Sequence, residues 1–164
     1  MTPLASIIAG QPASLTSDRE PGPLPQRLRR LSEAVRERAG ELDHRVDLYV
    51  SAKGRCPAAL EDTVLRVARE LLGNAVKHGM DGRVVGCICV DLVSGERRTV
   101  LTVTDDGWGW GWGNEPAQGE GLQLARLLAR EHGGTVRLRR EDRATVATLD
   151  LPHPTSRSDR TKAQ

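Results

Sequence analysis

The segment 57–79 constrains the fold more than any other part of the sequence. Its apolar residues recur every three or four positions, as expected for a long amphipathic helix with one buried face. Proline is favoured at the start of a helix and glycine just past its end, so Pro57 and Gly79 mark both limits. The apolar stripe consists of Leu60, Val64, Leu65, Ala68, Leu71, Leu72, Ala75 and Val76. A stripe of this length needs an equally long partner surface.

Shorter patterned segments supply that surface. Residues 24–39 and 120–132 have helical apolar spacing, and each run stops at glycine. Because strands and helices do not alternate throughout, we predict an α+β two-layer sandwich. In it, three helices cover one face of a mostly antiparallel five-stranded sheet. The strand-like segments are 45–51, 83–93, 97–104, 135–139 and 144–151.

The flanks and the charge balance limit the function classes. We predict a flexible leader at 1–23, one domain at 24–152 and a disordered tail at 153–164. The chain has 24 Lys and Arg against 22 Asp and Glu, too balanced for a dedicated nucleic-acid binder. It has no apolar run of the roughly 20 residues that span a bilayer and no signal-peptide pattern. We therefore expect a cytoplasmic protein without a membrane segment.

Two residue types have an unusual distribution. The chain has no Phe, so we expect an aliphatic core, and its three tryptophans (Trp108, Trp110 and Trp112) share one Gly-rich loop. Three cysteines argue against a disulfide scaffold. Cys87 and Cys89 lie two apart in an apolar run without further zinc-ligand spacing, and we expect both to be buried, reduced thiols.

The first candidate motif lies in the second half of the long helix. Glu70, Asn74, Lys77 and His78 share one face, roughly opposite the apolar stripe. This arrangement is compatible with an ordinary solvated face. It also places a carboxylate, an amide and a cation on successive turns, which suit a base, a magnesium ligand and a phosphate contact respectively.

Two glycine-rich motifs follow in the order of the sequence. Residues 105–109, Asp-Asp-Gly-Trp-Gly, directly follow a predicted strand, so Asp105 can accept a hydrogen bond where glycines let the backbone approach a flat ligand. Residues 119–122, Gly-Glu-Gly-Leu, open a helix, whose first amides favour phosphate. Alone, the former also suits a plain turn and the latter a flexible loop.

Taken together and in this order, the three motifs resemble the N, G1 and G2 boxes of the GHKL (Bergerat-fold) ATPase superfamily. This superfamily includes DNA gyrase, Hsp90-type chaperones, mismatch-repair proteins and histidine kinases. The stretch 119–134, GEGLQLARLLAREHGG, and the ending 144–152 are similar to the ATP-binding catalytic domain of a sensor histidine kinase. The resemblance covers residues 24–152 and implies a Bergerat sandwich with ATP and Mg²⁺ as cofactors.

The resemblance also implies roles for individual residues. Asn74 would be the Mg²⁺ ligand, Glu70 the catalytic polarising or general-base carboxylate, and Lys77 and His78 the contacts to phosphate. Asp105 would accept a hydrogen bond from the adenine amino group. The remaining ATP-binding positions implied are Gly107 and Gly109, which shape the adenine pocket, and Gly119, Gly121 and Leu122, which close around the triphosphate.

The sequence departs from the family at the lid and at the phosphoacceptor. The lid at 110–118 has nine residues and no Phe-containing box, and its tryptophans suit contact with the base, contact with a partner, or simple packing. Each of the four histidines (His44, His78, His132 and His153) is in a context unlike that of a phosphoacceptor on a dimerising helical hairpin.

Three functions therefore remain open. We expect an ATP-dependent kinase of the histidine kinase type, which phosphorylates a histidine on the helical hairpin of a separate partner protein in two-component-type signalling. One alternative is a Ser/Thr kinase and switch similar to the anti-sigma kinases, with a sigma factor or an anti-anti-sigma protein as its partner. The other is a non-catalytic ATP-binding interaction module.

Overall fold

The computed structural model describes residues 21–107 and 119–154. The predicted lid, with Gly109 and the three tryptophans, lies outside these residues, as do residues 1–20 and 155–164, so the predicted leader and tail stay predictions. No helix of the described part is long and apolar enough to cross a membrane. The helices are α1 (Leu24–Gly40), α2 (Ala58–Gly79) and α3 (Glu120–Glu131). The strands are β1 (Arg45–Gly54), β2 (Val85–Ser94), β3 (Arg98–Asp105), β4 (Thr135–Glu141) and β5 (Ala144–Pro152).

The five strands form one mixed sheet in the order β1-β2-β3-β5-β4. The pairings β2–β3, β3–β5 and β4–β5 are antiparallel, and β1 runs parallel to β2. The connection between the parallel strands contains α2, as a parallel crossover requires. The predicted α+β sandwich with a mostly antiparallel sheet is therefore confirmed.

The core lies between the helices and one face of the sheet. Alternate residues of β2 and β3 point into it and are almost fully buried, whereas their neighbours face the other way. The core is aliphatic, as the absence of Phe predicted, with Met80 and Cys56 as its sulfur-containing members. Burial of each large aliphatic side chain stabilises the fold by about 1.5–3 kcal/mol. The strand residues in this layer are Ile88, Val90, Leu92, Leu101 and Val103.

The opposite face of the sheet carries two of the three cysteines. Cys89 is exposed and Cys87 is half-buried, so the prediction that both thiols are buried was wrong; the buried thiol is Cys56. The first half of β2 is apolar at almost every position, and its alternation alone does not indicate which side the helices cover. Partial burial and then the neighbouring Cys89 raise the pKa of Cys87 to about 11, so this thiol is protonated at neutral pH.

Candidate functional site

Two glycine-rich segments contact α2, one near its end, where β3 ends at Asp105, and one at Glu70. A methyl group added at Gly79, the last residue of α2, would lie 2.9 Å from Asp105 Oδ1. A methyl group added at Gly107 would lie 2.3 Å from Gly79 Cα, and one added at Gly121 would lie 2.5 Å from Glu70 Oε2. The first motif, on α2, therefore contacts both of the other motifs, and the close backbone contact between Gly107 and Gly79 leaves no room for a side chain.

Asp105 is the most deeply buried carboxylate of this region, with 5 % of its surface exposed. Its Oδ1 accepts a hydrogen bond of 3.0 Å from the Gly107 amide. Burial raises the pKa of Asp105 to about 6, although that hydrogen bond acts in the opposite direction. At neutral pH the group is therefore mostly an ionised acceptor in a low-dielectric environment, which suits a ligand with an exposed amino group.

Glu70 lies on α2, one turn before Asn74, and faces the start of α3. Burial raises the pKa of Glu70, against the positive charges of Arg69 and Arg66. A carboxylate with a raised pKa, held beside a helix N-terminus, has the properties of a general base. Its Oε2 lies close to Gly121, where a side chain on α3 would displace the carboxylate.

Asn74, Lys77 and His78 follow Glu70 along the same helix and are half-buried. Burial and then the charge of Lys77 lower the pKa of His78, so its imidazole is neutral at pH 7. No group of three or more His, Cys, Asp or Glu side chains suited to a metal ion occurs in residues 21–107 and 119–154. The amide oxygen of Asn74 and the carboxylate of Glu70 are hard oxygen donors. Such donors fit Mg²⁺, which binds through few protein ligands and completes its shell with phosphate and water.

The start of α3 is an exposed glycine followed by the first helical turn. Gly119 has an extended backbone, and its carbonyl accepts from the amides of Leu122 and Gln123 at 3.1 and 3.2 Å. The Leu122 side chain is buried in the core, so its observed role is to pack against other apolar residues. The amides of Glu120 and Gly121, at the first two helical positions, have no intrahelical acceptor and are available to an anion.

Two residues without an assignment from the sequence also lie at this end of the sheet. Arg83, in the loop between α2 and β2, forms a two-pronged ion pair with Asp106, the residue after β3. The two positions are 23 residues apart. The adjacent residues Asp105 and Asp106 are visible in the sequence. The pairing of Arg83 with Asp106, however, depends on the fold, and no local pattern predicts it.

The sequence matches a known family over residues 59–155, more than half of the chain. The family is described as "Histidine kinase-, DNA gyrase B-, and HSP90-like ATPase". The chain belongs to this family, and the match includes all three motifs. No curated protein matches the chain significantly.

Several solved structures resemble this chain in both sequence and fold. The blue-light activated histidine kinase EL346 of Erythrobacter litoralis is 26% identical, with a TM-score of 0.66, over 79% of this chain and 42% of that protein. The separate histidine kinase domain of EL346 is 25% identical, with a TM-score of 0.65, over 91% of this chain and 70% of that domain. A mycobacterial sensor histidine kinase, MprB, shares the fold at 22% identity, with a TM-score of 0.58, over 81% and 97%. The chain thus has the fold of a histidine kinase catalytic domain and spans less than half of the solved EL346 chain.

Proposed function

We propose that this chain is an Mg²⁺-dependent ATP-binding catalytic module that transfers the γ-phosphate of ATP to a histidine of a partner protein in bacterial two-component-type signalling. The observation that carries the proposal is that α2 contacts both glycine-rich motifs, with Gly79 against Asp105 and Glu70 against the start of α3. Membership of the ATPase family supports ATP as the ligand. The histidine kinase neighbours support histidine as the acceptor.

Asp105 fixes the base in this proposal. Its buried carboxylate accepts a hydrogen bond from the exocyclic amino group of adenine, whereas guanine presents a carbonyl at the same position and is repelled. The close contact of Gly107 with Gly79 leaves no side chain on the backbone beside Asp105, which suits a flat base. Gly109, two positions further along the sequence, is proposed to shape the adenine pocket together with Gly107.

The phosphates lie between α2 and the start of α3. Asn74 would hold the Mg²⁺ ion, which would neutralise phosphate charge, and Lys77 and His78 would contact phosphate oxygens. The glycines of 119–121 permit close approach of first-turn amides to the same oxygens. Positioning and charge neutralisation are the main contributions of a protein to phosphoryl transfer.

Glu70 acts on the acceptor. The imidazole nitrogen of the partner's histidine attacks the γ-phosphorus, the bond to the β,γ-bridging oxygen breaks, and ADP leaves. Glu70 accepts the imidazole proton, for which its raised pKa suits it.

The contacts of the histidines in the described residues support a phosphoacceptor histidine on another protein. His44 Nδ1 donates to the Arg83 carbonyl at 3.0 Å, and His132 Nε2 lies 2.9 Å from Thr63 Oγ1. His153 is hydrogen-bonded with Thr99 Oγ1 at 3.0 Å. Each of these three rings is held by a hydrogen bond within the fold, and His78 belongs to the proposed site itself.

Calorimetric titration with ATP, with and without Mg²⁺, tests the binding site. We expect saturable binding that depends on Mg²⁺, and we expect Asn74→Ala to abolish the Mg²⁺-dependent part while thermal unfolding stays unchanged. Glu37→Ala, at an exposed position of α1, is the control. Unchanged binding by Asn74→Ala would contradict the assignment. The three tryptophans allow the same titration by intrinsic fluorescence.

Phosphoryl transfer needs a second experiment. We expect label from γ-labelled ATP to appear on a helical hairpin protein that carries a phosphoacceptor histidine, in a bond that is labile in acid and stable in base. Label that survives acid would favour the Ser/Thr kinase alternative instead. ATP binding without transfer to any acceptor would favour a non-catalytic module.

A further inference from the structure

Arg83 contacts two segments of the chain beside Asp105. Its Nη1 donates to the Gly79 carbonyl at 3.3 Å, at the C-terminus of α2, and to the Asp106 carbonyl at 2.9 Å. Nη1 and Nη2 also donate to the two carboxylate oxygens of Asp106 at 3.0 and 3.1 Å. One half-buried guanidinium therefore binds both the end of α2 and the segment after β3.

Asp106 transmits this contact to β2. Its Oδ1 accepts from the Cys87 amide at 2.9 Å, and its own amide donates to the Cys87 carbonyl at 3.2 Å. Partial burial raises the pKa of Asp106, but the hydrogen bonds from Arg83 and the Cys87 amide outweigh this effect and hold the pKa below its ordinary value. The carboxylate is ionised at neutral pH, so its hydrogen bonds to Arg83 are charge-assisted.

Asp105 is next to both residues that Arg83 binds: it precedes Asp106 in the sequence, and its carboxylate lies against Gly79. Its carboxylate is held by the Gly107 amide, and Gly107 packs so closely on Gly79 that no side chain fits between them. Arg83 binds Gly79 on one side of this contact and Asp106 on the other. A shift of either side would move Asp105 relative to α2.

We propose that Arg83, through Asp106, is a positioning residue that sets the base selectivity of the nucleotide site. This inference rests on the proposed ATP-binding function. Arg83 acts through Asp105 and α2, without touching the nucleotide. An isolated surface ion pair contributes little, but this guanidinium makes four hydrogen bonds to two segments, which is the geometry that fixes a neighbouring group.

The test compares Arg83→Ala, Arg83→Lys and Asp106→Asn with Arg98→Ala. Arg98 also pairs with an aspartate, Asp150, at 3.0 Å, but at the opposite end of β3. We expect Arg83→Ala to weaken ATP binding about tenfold and to bring the ratio of ATP to GTP affinity close to one. Arg83→Lys restores one contact and should recover part of the ratio. Loss of folding alone would lower both affinities together and leave their ratio unchanged.

A second readout does not depend on nucleotide. Amide hydrogen exchange of Cys87, Asp106 and Gly107 should become faster in Arg83→Ala and in the milder Asp106→Asn, and remain unchanged in Arg98→Ala. Faster exchange with an unchanged affinity ratio would overturn the positioning role. Unchanged exchange would overturn the anchoring itself. If the wild-type chain binds neither nucleotide, the proposed function fails and this inference fails with it, whatever the exchange shows.

Discussion

The two ends of β3 both bury a polar side chain on the helix-facing side of the sheet, but in different ways. At the first end, Thr99 has no exposed surface, and its hydroxyl lies 3.0 Å from His153 Nε2 and 2.8 Å from Ser94 Oγ. Ser94 in turn donates to the Arg55 carbonyl at 3.0 Å, and His153 Nδ1 donates to the Glu96 carbonyl at 3.0 Å. This cluster satisfies its polar groups with one another.

At the second end, Asp105 is nearly as buried, but within the described residues the Gly107 amide is the one donor to its carboxylate. Its pKa of about 6 records that the charged form is less stable here than in water. A buried carboxylate with a single donor lowers stability, which is more typical of a functional position than of one that stabilises the fold. The comparison therefore favours a ligand contact for Asp105 and a structural role for Thr99.

Replacement of Asp105 by Asn should affect binding and stability in opposite directions. We expect Asp105→Asn to weaken ATP binding about 10–100-fold, because a neutral amide is the weaker acceptor. The free energy of unfolding at pH 7 should rise by up to about 3 kcal/mol, because the variant removes a buried charge. Calorimetry and denaturant unfolding measure the two quantities. A loss of stability together with unchanged binding would make Asp105 a structural residue like Thr99.

The pH dependence of stability provides a second test of the same difference. The pKa of Asp105 is about 6 in the folded chain against an ordinary 3.8, so the folded state binds this proton more tightly than the unfolded chain does. The corresponding stabilisation is complete below pH 4 and is lost as the pH rises from 4 to above 6, by about 3 kcal/mol. Glu70, whose pKa is also raised, contributes with the same sign and Asp106 with the opposite sign.

The contribution of Asp105 to the pH dependence of stability is therefore obtained by comparing the wild-type chain with Asp105→Asn. Denaturant unfolding of the wild-type chain and of Asp105→Asn, at several values between pH 4 and pH 7, should give two curves that converge at the acid end. Thr99→Val should run parallel to the wild type across this range. Parallel curves for Asp105→Asn would show that its carboxyl has an ordinary pKa in the folded chain.

Much of this architecture could be predicted because local signals mark it. Pro57 and Gly79 bound α2 as predicted, and the strand after α2 and the hairpin at residues 94–96 follow from alternation and turn residues. The motif residues of α2 and of the β3 end were assigned because their order and spacing resemble a known family, and their individual roles stay predictions.

Other features depend on contacts that no local pattern contains. The parallel pairing of β1 with β2 joins segments separated by the whole of α2, and alternation alone does not fix the direction of pairing. Cys87 and Cys89 were assigned to the wrong face, because β2 is apolar on both sides. The Arg83–Asp106 pair depends on α2, β2 and β3 meeting at one point.

Replacement of Thr99 by Val tests the structural end of β3. Valine has nearly the same shape, so the core should stay packed, while Ser94 and His153 each lose a hydrogen-bond partner. We expect the free energy of unfolding to fall by about 1–3 kcal/mol and ATP affinity to stay at the wild-type value. Cys56 Sγ, 3.6 Å from the Thr99 hydroxyl, is too weak an acceptor to change this expectation. A weakened ATP affinity would mean that the two ends are coupled through the strand.

The smallest effect is expected from Arg98→Ala, at the same end as Thr99. The guanidinium of Arg98 makes a single contact with Asp150 at 3.0 Å, and 60% of its side-chain surface is exposed, against 28% for Arg83. Exposed single-contact pairs contribute at most about 1 kcal/mol, so unfolding should change by less than that and nucleotide binding not at all. Arg98→Ala and Arg83→Ala could instead lower the free energy of unfolding equally and both leave base selectivity unchanged. In that case the contrast between the two ends of β3 would depend on Asp105 alone.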